Sequence, residues 1–268
     1  MNIPFTKMHG AGNDFIMIDH RQPFLQEDKL PSIVRTLCTR KLHIGANGLI
    51  LLEKSDQAHF SMRYFNRDGS EVEMCGNGAR CTMKFAYHIG ACKEKAIFET
   101  MGEIYEGTIE SNDEISIAFP NVSLQTVSPY NLMNRTLYSI TVGVPHVVLF
   151  DDAMYDATEE DFHLFGEKIR YMTNYFPNGT NVNVVKLTDN NMYIRTYERG
   201  VEEETLACGT GATASAIIAQ LFQHKKGPTT VEMKGGIVHI HFQVKDTMIS
   251  NITLTGKVFT AFQGTTTI

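Results

Sequence analysis

The feature that most constrains this chain is an internal repeat with a cysteine at its end. Tyr64-Phe-Asn-Arg-Asp-Gly-Ser-Glu-Val-Glu-Met-Cys75-Gly-Asn-Gly-Ala in the first half is echoed by Tyr197-Glu-Arg-Gly-Val-Glu-Glu-Glu-Thr-Leu-Ala-Cys208-Gly-Thr-Gly-Ala in the second, with the same Tyr-to-Cys spacing. Each copy has a turn glycine, then acidic residues, then Cys-Gly-x-Gly-Ala. An earlier echo pairs Gly12-Asn-Asp-Phe-Ile-Met-Ile-Asp19 with Gly143-Val-Pro-His-Val-Val-Leu-Phe-Asp151, in each case a turn followed by a buried-strand pattern. A period this long rules out a solenoid, whose units are ~20–50 residues. It fits two related domains.

The coarse pattern assigns strands to Phe15–Ile18, Gly48–Leu52, Phe60–Phe65, Ala96–Glu99 and Ile115–Phe119, then Ser139–Val142, Val147–Phe150, Asn181–Lys186, Met192–Thr196 and Ile237–Val244. Helices are expected at Leu30–Arg40, Asn77–His88, Glu159–Met172 and Gly211–His224, two of them directly after the repeated cysteines. The Ser-, Thr- and Pro-containing stretch Pro120–Pro129 reads as the crossing between halves. The expected fold class is therefore α/β, with domains at residues 1–119 and 120–255. Residues 256–268 read as a last strand and tail, assigned to the first domain.

The 268 residues carry a formal net charge of −6, without long single-sign blocks. Nucleic-acid binding, which needs clustered Lys and Arg, is not expected. No stretch has the ~20 apolar residues of a membrane span, and the first residues lack a secretory signal pattern. The expectation is a soluble cytoplasmic protein with no membrane partner. The five cysteines, Cys38, Cys75, Cys81, Cys92 and Cys208, are odd in number and irregularly spaced. They form neither a disulfide framework nor a metal set, so free thiols and no metal are expected.

A cysteine just before a helix sits where unpaired N–H groups and the helix dipole favour anions, and its thiol is acidified. Glycines there let a ligand approach the backbone. Two such ends facing one cleft could hold a single carboxylate, with the sulfurs on opposite faces of the adjacent α-carbon. One thiolate would remove the α-proton while the other thiol delivers one, inverting the centre without a cofactor. Fixed N–H dipoles would stabilise the enolate character that develops. Neither glycine-rich turn carries a nucleotide P-loop or dinucleotide fingerprint.

With these residues in place, the chain resembles the diaminopimelate epimerases. The resemblance rests on Gly10-Ala-Gly-Asn13-Asp-Phe, Phe65-Asn66, Cys75-Gly-Asn-Gly-Ala-Arg-Cys81, Pro145-His146, Glu198-Arg199-Gly and Ala207-Cys208-Gly-Thr-Gly-Ala, in order over nearly the whole chain. It implies two pseudo-symmetric domains, each a mixed sheet wrapped around a central helix, with the active site in the cleft. It implies interconversion of LL- and meso-2,6-diaminopimelate for lysine and peptidoglycan precursor synthesis, without pyridoxal phosphate, and a homodimer. By the same resemblance Cys75 and Cys208 are catalytic. Gly76, Asn77, Gly209 and Thr210 hold the reacting carboxylate, and Asn13, Asn66 and Asn181 bind substrate. Glu198 and Arg199 read the distal amino acid group, while His146 and Glu198 tune the thiols. Cys38, Cys81 and Cys92 match no catalytic position and read as packing residues.

Three departures stand out: Val144 where many members have Asn, one extra residue in Val201-Glu-Glu-Glu-Thr, and Asn47-Gly48 in place of Asp-Gly or Asp-Gln. The alternatives are another cofactor-free racemase on the same fold, for proline, hydroxyproline or histidine; an isomerase related to phenazine biosynthesis proteins; and a non-catalytic redox or binding protein in which Cys75 and Cys208 pair.

Overall fold

A computed structural model describes residues 1–72, 74–110, 114–189, 191–224 and 229–268; Glu73 of the first repeat copy lies outside them. The backbone divides into two compact units, Met1–Ala118 with Thr255–Ile268, and Phe119–Leu254.

The first unit contains β1 (Asn2–Gly10), β2 (Asn13–Asp19), α1 (Leu30–Cys38), β3 (Gly48–Glu53), β4 (Phe60–Asn66), β5 (Glu71–Val72), α2 (Gly76–His88), β6 (Lys95–Thr100), β7 (Glu103–Ile109) and β8 (Glu114–Phe119). Ala11 and Gly12, both at positive φ, close the β1–β2 hairpin, the conformation that tight hairpins demand. Strands β2 and β3 pair in parallel, β3 and β4 antiparallel, and β4 and β6 in parallel. The runs Phe15–Ile18 and Leu49–Leu52 are buried throughout because both faces of the sheet are covered, as near-continuous apolar strands require. On one face lies α2, buried from Gly76 to Ala86. On the other, Leu30, Ile33, Val34 and Leu37 of α1 pack against Ile16, Ile18, Leu49 and Leu51.

The second unit repeats the plan. It contains β9 (Val122–Ser123), β10 (Ser128–Leu132), β11 (Arg135–Val142), β12 (Val144–Phe150), α3 (Asp152–Tyr155), α4 (Glu159–Arg170), β13 (Asn181–Leu187), β14 (Met192–Glu198), β15 (Glu203–Thr205), α5 (Gly209–Phe222), β16 (Thr229–Met233) and β17 (Gly236–Lys245). The strand β18 (Met248–Thr267) begins here and continues into the first unit. Again β12–β13 and β14–β16 are parallel and β13–β14 antiparallel. α5 is buried from Gly209 to Ala219 except Thr210. Phe162, Phe165 and Ile169 of α4 cover the other face against Val147, Leu149, Val182 and Val184. The fold is thus a mixed α/β architecture of two pseudo-symmetric units, each with a central helix against its sheet.

All ten expected strands and four expected helices exist, with shifted ends. α1 stops at Cys38 because Thr39 turns extended, α4 stops at Arg170, and α5 starts at Gly209 and stops at Phe222. The stretch Pro120–Pro129 is not a plain crossing: it holds β9, a short 3-10 turn at Leu124–Thr126 capped by Ser123, and the start of β10. Residues 256–268 are no tail. They pair antiparallel with β1 from Gly10↔Val258 to Asn2↔Thr267.

Candidate active site

In the first unit, Cys75 is the N-cap of α2, with extended backbone (φ −120°, ψ 114°). The first intrahelical bond runs from Ala79 N to Cys75 O at 2.7 Å, so the N–H groups of Gly76, Asn77 and Gly78 belong to the turn that has no intrahelical acceptors. The β1–β2 hairpin brings Asn13 beside the sulfur, with Nδ2 3.8 Å from Cys75 Sγ. Asn13 Oδ1 is buried and has no hydrogen-bond partner among the described residues. Asn66, at the end of β4, accepts from Tyr64 Oη at 2.8 Å. The Asn77 side chain points inward, where Oδ1 accepts from Arg80 Nη2 at 2.7 Å. A side chain at Gly10 would come within 3.3 Å of Arg80 Nη2 and 3.5 Å of Asn77 O, which explains a glycine where β1 meets the helix start.

In the second unit, Cys208 caps α5 with nearly the same backbone (φ −123°, ψ 109°). Its Sγ accepts from Gly211 N at 3.4 Å and lies 3.5 Å from Thr210 Oγ1. Glu198, at the end of β14, accepts from Thr205 Oγ1. Burial lifts its carboxyl above the usual range, against the opposing pull of hydrogen bonds from Thr205 and Cys208. Arg199 turns away: its guanidinium donates to Asn178 O at 2.9 Å and its N–H to Asn181 Oδ1 at 2.8 Å. Glu198, the last residue of β14, and Arg199, in the turn that follows, thus hold separate hydrogen-bond partners.

His146 is fully enclosed, and burial, reinforced by the Arg199 charge, pushes its pKa down to about 3. It is a neutral imidazole. Its tautomer follows from its neighbour. Thr196 Oγ1 donates to Asn183 Oδ1 at 3.0 Å, so Asn183 Nδ2 is the donor, to Val147 O at 2.9 Å and to His146 Nδ1 at 3.2 Å. The proton thus sits on Nε2, which is buried without a partner among the described residues. A side chain at Gly211 would collide with Asn183 Oδ1. Asn183 thus lies directly against the helix turn that Cys208 opens, linking His146 to it.

Asn183 and Arg80 were not singled out from the sequence as site residues. The signal for Asn183 was the alternation Asn181-Val-Asn183-Val, which puts two amides on one strand face. Of the remaining thiols, burial raises Cys38 and Cys81 to about 12 and Cys92 to about 11. Among the described residues no group of three or more His, Cys, Asp or Glu could hold a metal ion, and no helix is long and apolar enough to cross a membrane.

The family model for diaminopimelate epimerase matches residues 5–123 and 138–260. The chain belongs to the diaminopimelate epimerase family. A diaminopimelate epimerase of Methanocella arvoryzae is 39% identical over 254 residues, covering 90% of each chain. One from Flavobacterium psychrophilum is 38% identical over 263 residues, covering 97% of this chain and 98% of its own. Solved structures share the fold at lower identity. A phenazine biosynthesis protein of the PhzF family from Bacillus anthracis superimposes with TM-score 0.73 at 16% identity, covering all of both chains. A hydroxyproline epimerase from Agrobacterium vitis gives 0.71 at 14%, covering 98% of this chain and 92% of its own. The fold is thus shared with enzymes outside the diaminopimelate epimerase family.

Proposed function

We propose that this chain interconverts LL- and meso-2,6-diaminopimelate by two-base proton exchange, with Cys75 and Cys208 serving opposite faces of one α-carbon and no cofactor. In the forward step a thiolate takes the α-proton, and the electron pair left behind is held in the enolate form of the carboxylate. The opposite thiol then gives its proton to the other face, so the two sulfurs exchange roles.

The observation that carries this reading is the duplication: each unit places one cysteine as the N-cap of its central buried helix, with Gly-x-Gly as the first turn. The turns Gly76–Asn77 and Gly209–Thr210 offer main-chain N–H groups to the reacting carboxylate at the positive ends of two helix dipoles. Positioned proton transfer contributes roughly 10²–10⁴-fold, and preorganised N–H groups around a developing oxyanion supply a further large share. Asn13 Oδ1, a buried acceptor without a donor, suits the α-ammonium, since an unmet buried acceptor costs free energy until a donor arrives.

Arg199 takes the distal carboxylate, which a guanidinium binds in two-pronged fashion, and Asn66 and Asn181 line the binding surface. Glu198, within hydrogen-bond reach of Cys208, acts on the thiol. His146, neutral and fixed as the Nε2 tautomer, holds that turn in place through Asn183. The two compact units correspond to two domains with a break near residue 119, and the protein works on a small molecule in the cytoplasm.

The test is α-deuterium uptake from deuterated solvent by reduced protein. LL- and meso-diaminopimelate should both exchange and equilibrate. Exchange of proline, hydroxyproline or histidine instead, with diaminopimelate inert, would replace the substrate by that of another racemase on this fold.

A further inference from the structure

Arg80 lies in the second turn of α2, five residues after Cys75, with no exposed surface at all. Among the described residues its hydrogen bonds go to the helix start: Nη1 donates to Gly76 O at 3.2 Å and Nη2 to Asn77 Oδ1 at 2.7 Å. Its Nε is buried without an acceptor, and among the described residues no carboxylate lies within salt-bridge distance. A buried cation is costly unless an anion compensates it. A positive charge near a helix N-terminus also opposes the macrodipole, so folding alone does not explain it. Gly10 of β1 faces the guanidinium closely enough that a Cβ there would come within 3.3 Å of Nη2.

The ionisable groups on the strands packed against α2 are committed elsewhere. On β1, Lys7 pairs with Asp14 of β2 at 2.7 Å, and Arg40 binds the same carboxylate, while His9 stacks on Phe259. Asp19 of β2 binds Arg21, and Glu53 of β3 takes His20 and Arg63. On β4, Tyr64 bonds to Asn66; on β7, Glu103 and Glu106 are exposed and Tyr105 stacks on Phe98. Within α2 itself Lys84 donates to Val258 O at 2.9 Å, His88 is exposed and Cys81 is buried beside Arg80. Burial pulls the Arg80 guanidinium down to about 10, opposed by attraction to Cys81 and Cys75, so it is a cation at neutral pH.

The repeat supplies the control. The equivalent position after Cys208 is the buried, neutral Thr213, whose hydroxyl donates to Gly209 O at 3.0 Å. The equivalent of Glu198, beside Cys208, is Phe65. One cysteine thus has a buried cation behind it, and the other a carboxyl in front.

We propose that Arg80 is a positioning residue for charge: it supplies the positive potential that makes Cys75, rather than Cys208, the thiolate of the substrate-free protein. This rests on the two-thiol reading of the site, but its test does not require turnover. The test is alkylation of the intact protein by iodoacetamide across pH, with the Cys75 and Cys208 peptides quantified separately by mass spectrometry. In the unmodified protein Cys75 should react with the lower midpoint. In Arg80→Met, whose side chain has similar length without charge, the Cys75 midpoint should rise by about one unit or more while that of Cys208 stays put. That rise corresponds to about tenfold less thiolate below the midpoint. Arg80→Lys, which keeps the charge, should stay near the parent, and it replaces the Met variant if that fails to fold. A lower midpoint for Cys208 in the unmodified protein, an unmoved Cys75 in folded Arg80→Met, or a Cys75 midpoint that rises as much in Arg80→Lys as charge removal would demand, each overturns the proposal.

Discussion

The turn at Cys75 and the turn at Cys208 share a backbone but not an electrostatic setting. Both cysteines cap a buried helix with φ and ψ within a few degrees of each other. Superposing the repeats in register sets Asn13 against Val144, Phe15 against His146, Gly48 against Asn181, Phe65 against Glu198 and Arg80 against Thr213. The first unit surrounds its thiol with a donor amide and a buried guanidinium. The second offers a carboxyl, a hydroxyl and a neutral imidazole held one residue away through Asn183. A duplicated scaffold supplies equivalent positions for the sulfurs, and the substitutions between copies place different groups around them. Val144 follows the same difference: the amide beside Cys75 has no counterpart beside Cys208, which bonds to Glu198 instead.

The largest expected effect removes the sulfurs. Cys75→Ala and Cys208→Ala should each lower epimerisation by at least about 10³-fold, since each deletes one of the two acid–base groups and strands the other. Steady-state rates in both directions measure this. Near-normal turnover in either variant would mean that the halves do not act as a pair.

The next effect distinguishes the helix starts by packing. Gly78→Ala places its methyl 3.0 Å from the Ile50 terminal methyl, a movable side chain, whereas Gly211→Ala drives into Asn183 Oδ1, whose amide is held by Thr196, Val147 and His146. Gly211→Ala should cost about 1–3 kcal/mol by overpacking, and Gly78→Ala less than about 1 kcal/mol, part of it returned by helix propensity. Denaturant melts of the two variants read the difference. Equal costs would show that Asn183 yields freely and does not fix the Cys208 turn.

The smallest effect, taken over a single pH unit, is a pH slope belonging to the second unit. His146 is neutral in the fold and has its ordinary pKa when unfolded, so between about 3 and 6.5 the unfolded chain binds the extra proton. Stability should therefore fall as pH drops through that window, by up to about 1.4 kcal/mol per pH unit. The paired carboxylates Asp14, Asp19 and Asp151, held below their ordinary range, act in the same direction at the acid end of the window. His146→Gln removes the histidine part alone. An unchanged slope between pH 5 and 6 would show that His146 takes up a proton in the fold.

The repeat made much of this legible in the sequence, because a shared Tyr-to-Cys spacing implies a shared strand, hairpin and helix start. Central strands such as Leu49–Leu52 were also plain, since burial on both faces leaves uninterrupted apolar runs. β1 was missed because Pro4, Thr6 and Lys7 interrupt its pattern. Lys7 is buried through its ion pair with Asp14 and its bond to Gly45 O, and such compensation is invisible without the fold. Arg80 stood in a recognised motif, yet its burial with no carboxylate in salt-bridge distance among the described residues is a three-dimensional fact. The resemblance marks Glu198 and Arg199 together, while the separate partners they hold, Thr205 and Asn178, are set only by the fold.

β1 is held on one side by β2 and on the other by the far end of β18. Its outer partner is encoded after the whole second unit. During synthesis the first unit must wait with an open edge, exposing unpaired N–H and C=O groups of the kind that invite aggregation. Every residue of the second unit is made before the segment that seals the first, so the half that is begun first is the last to be complete.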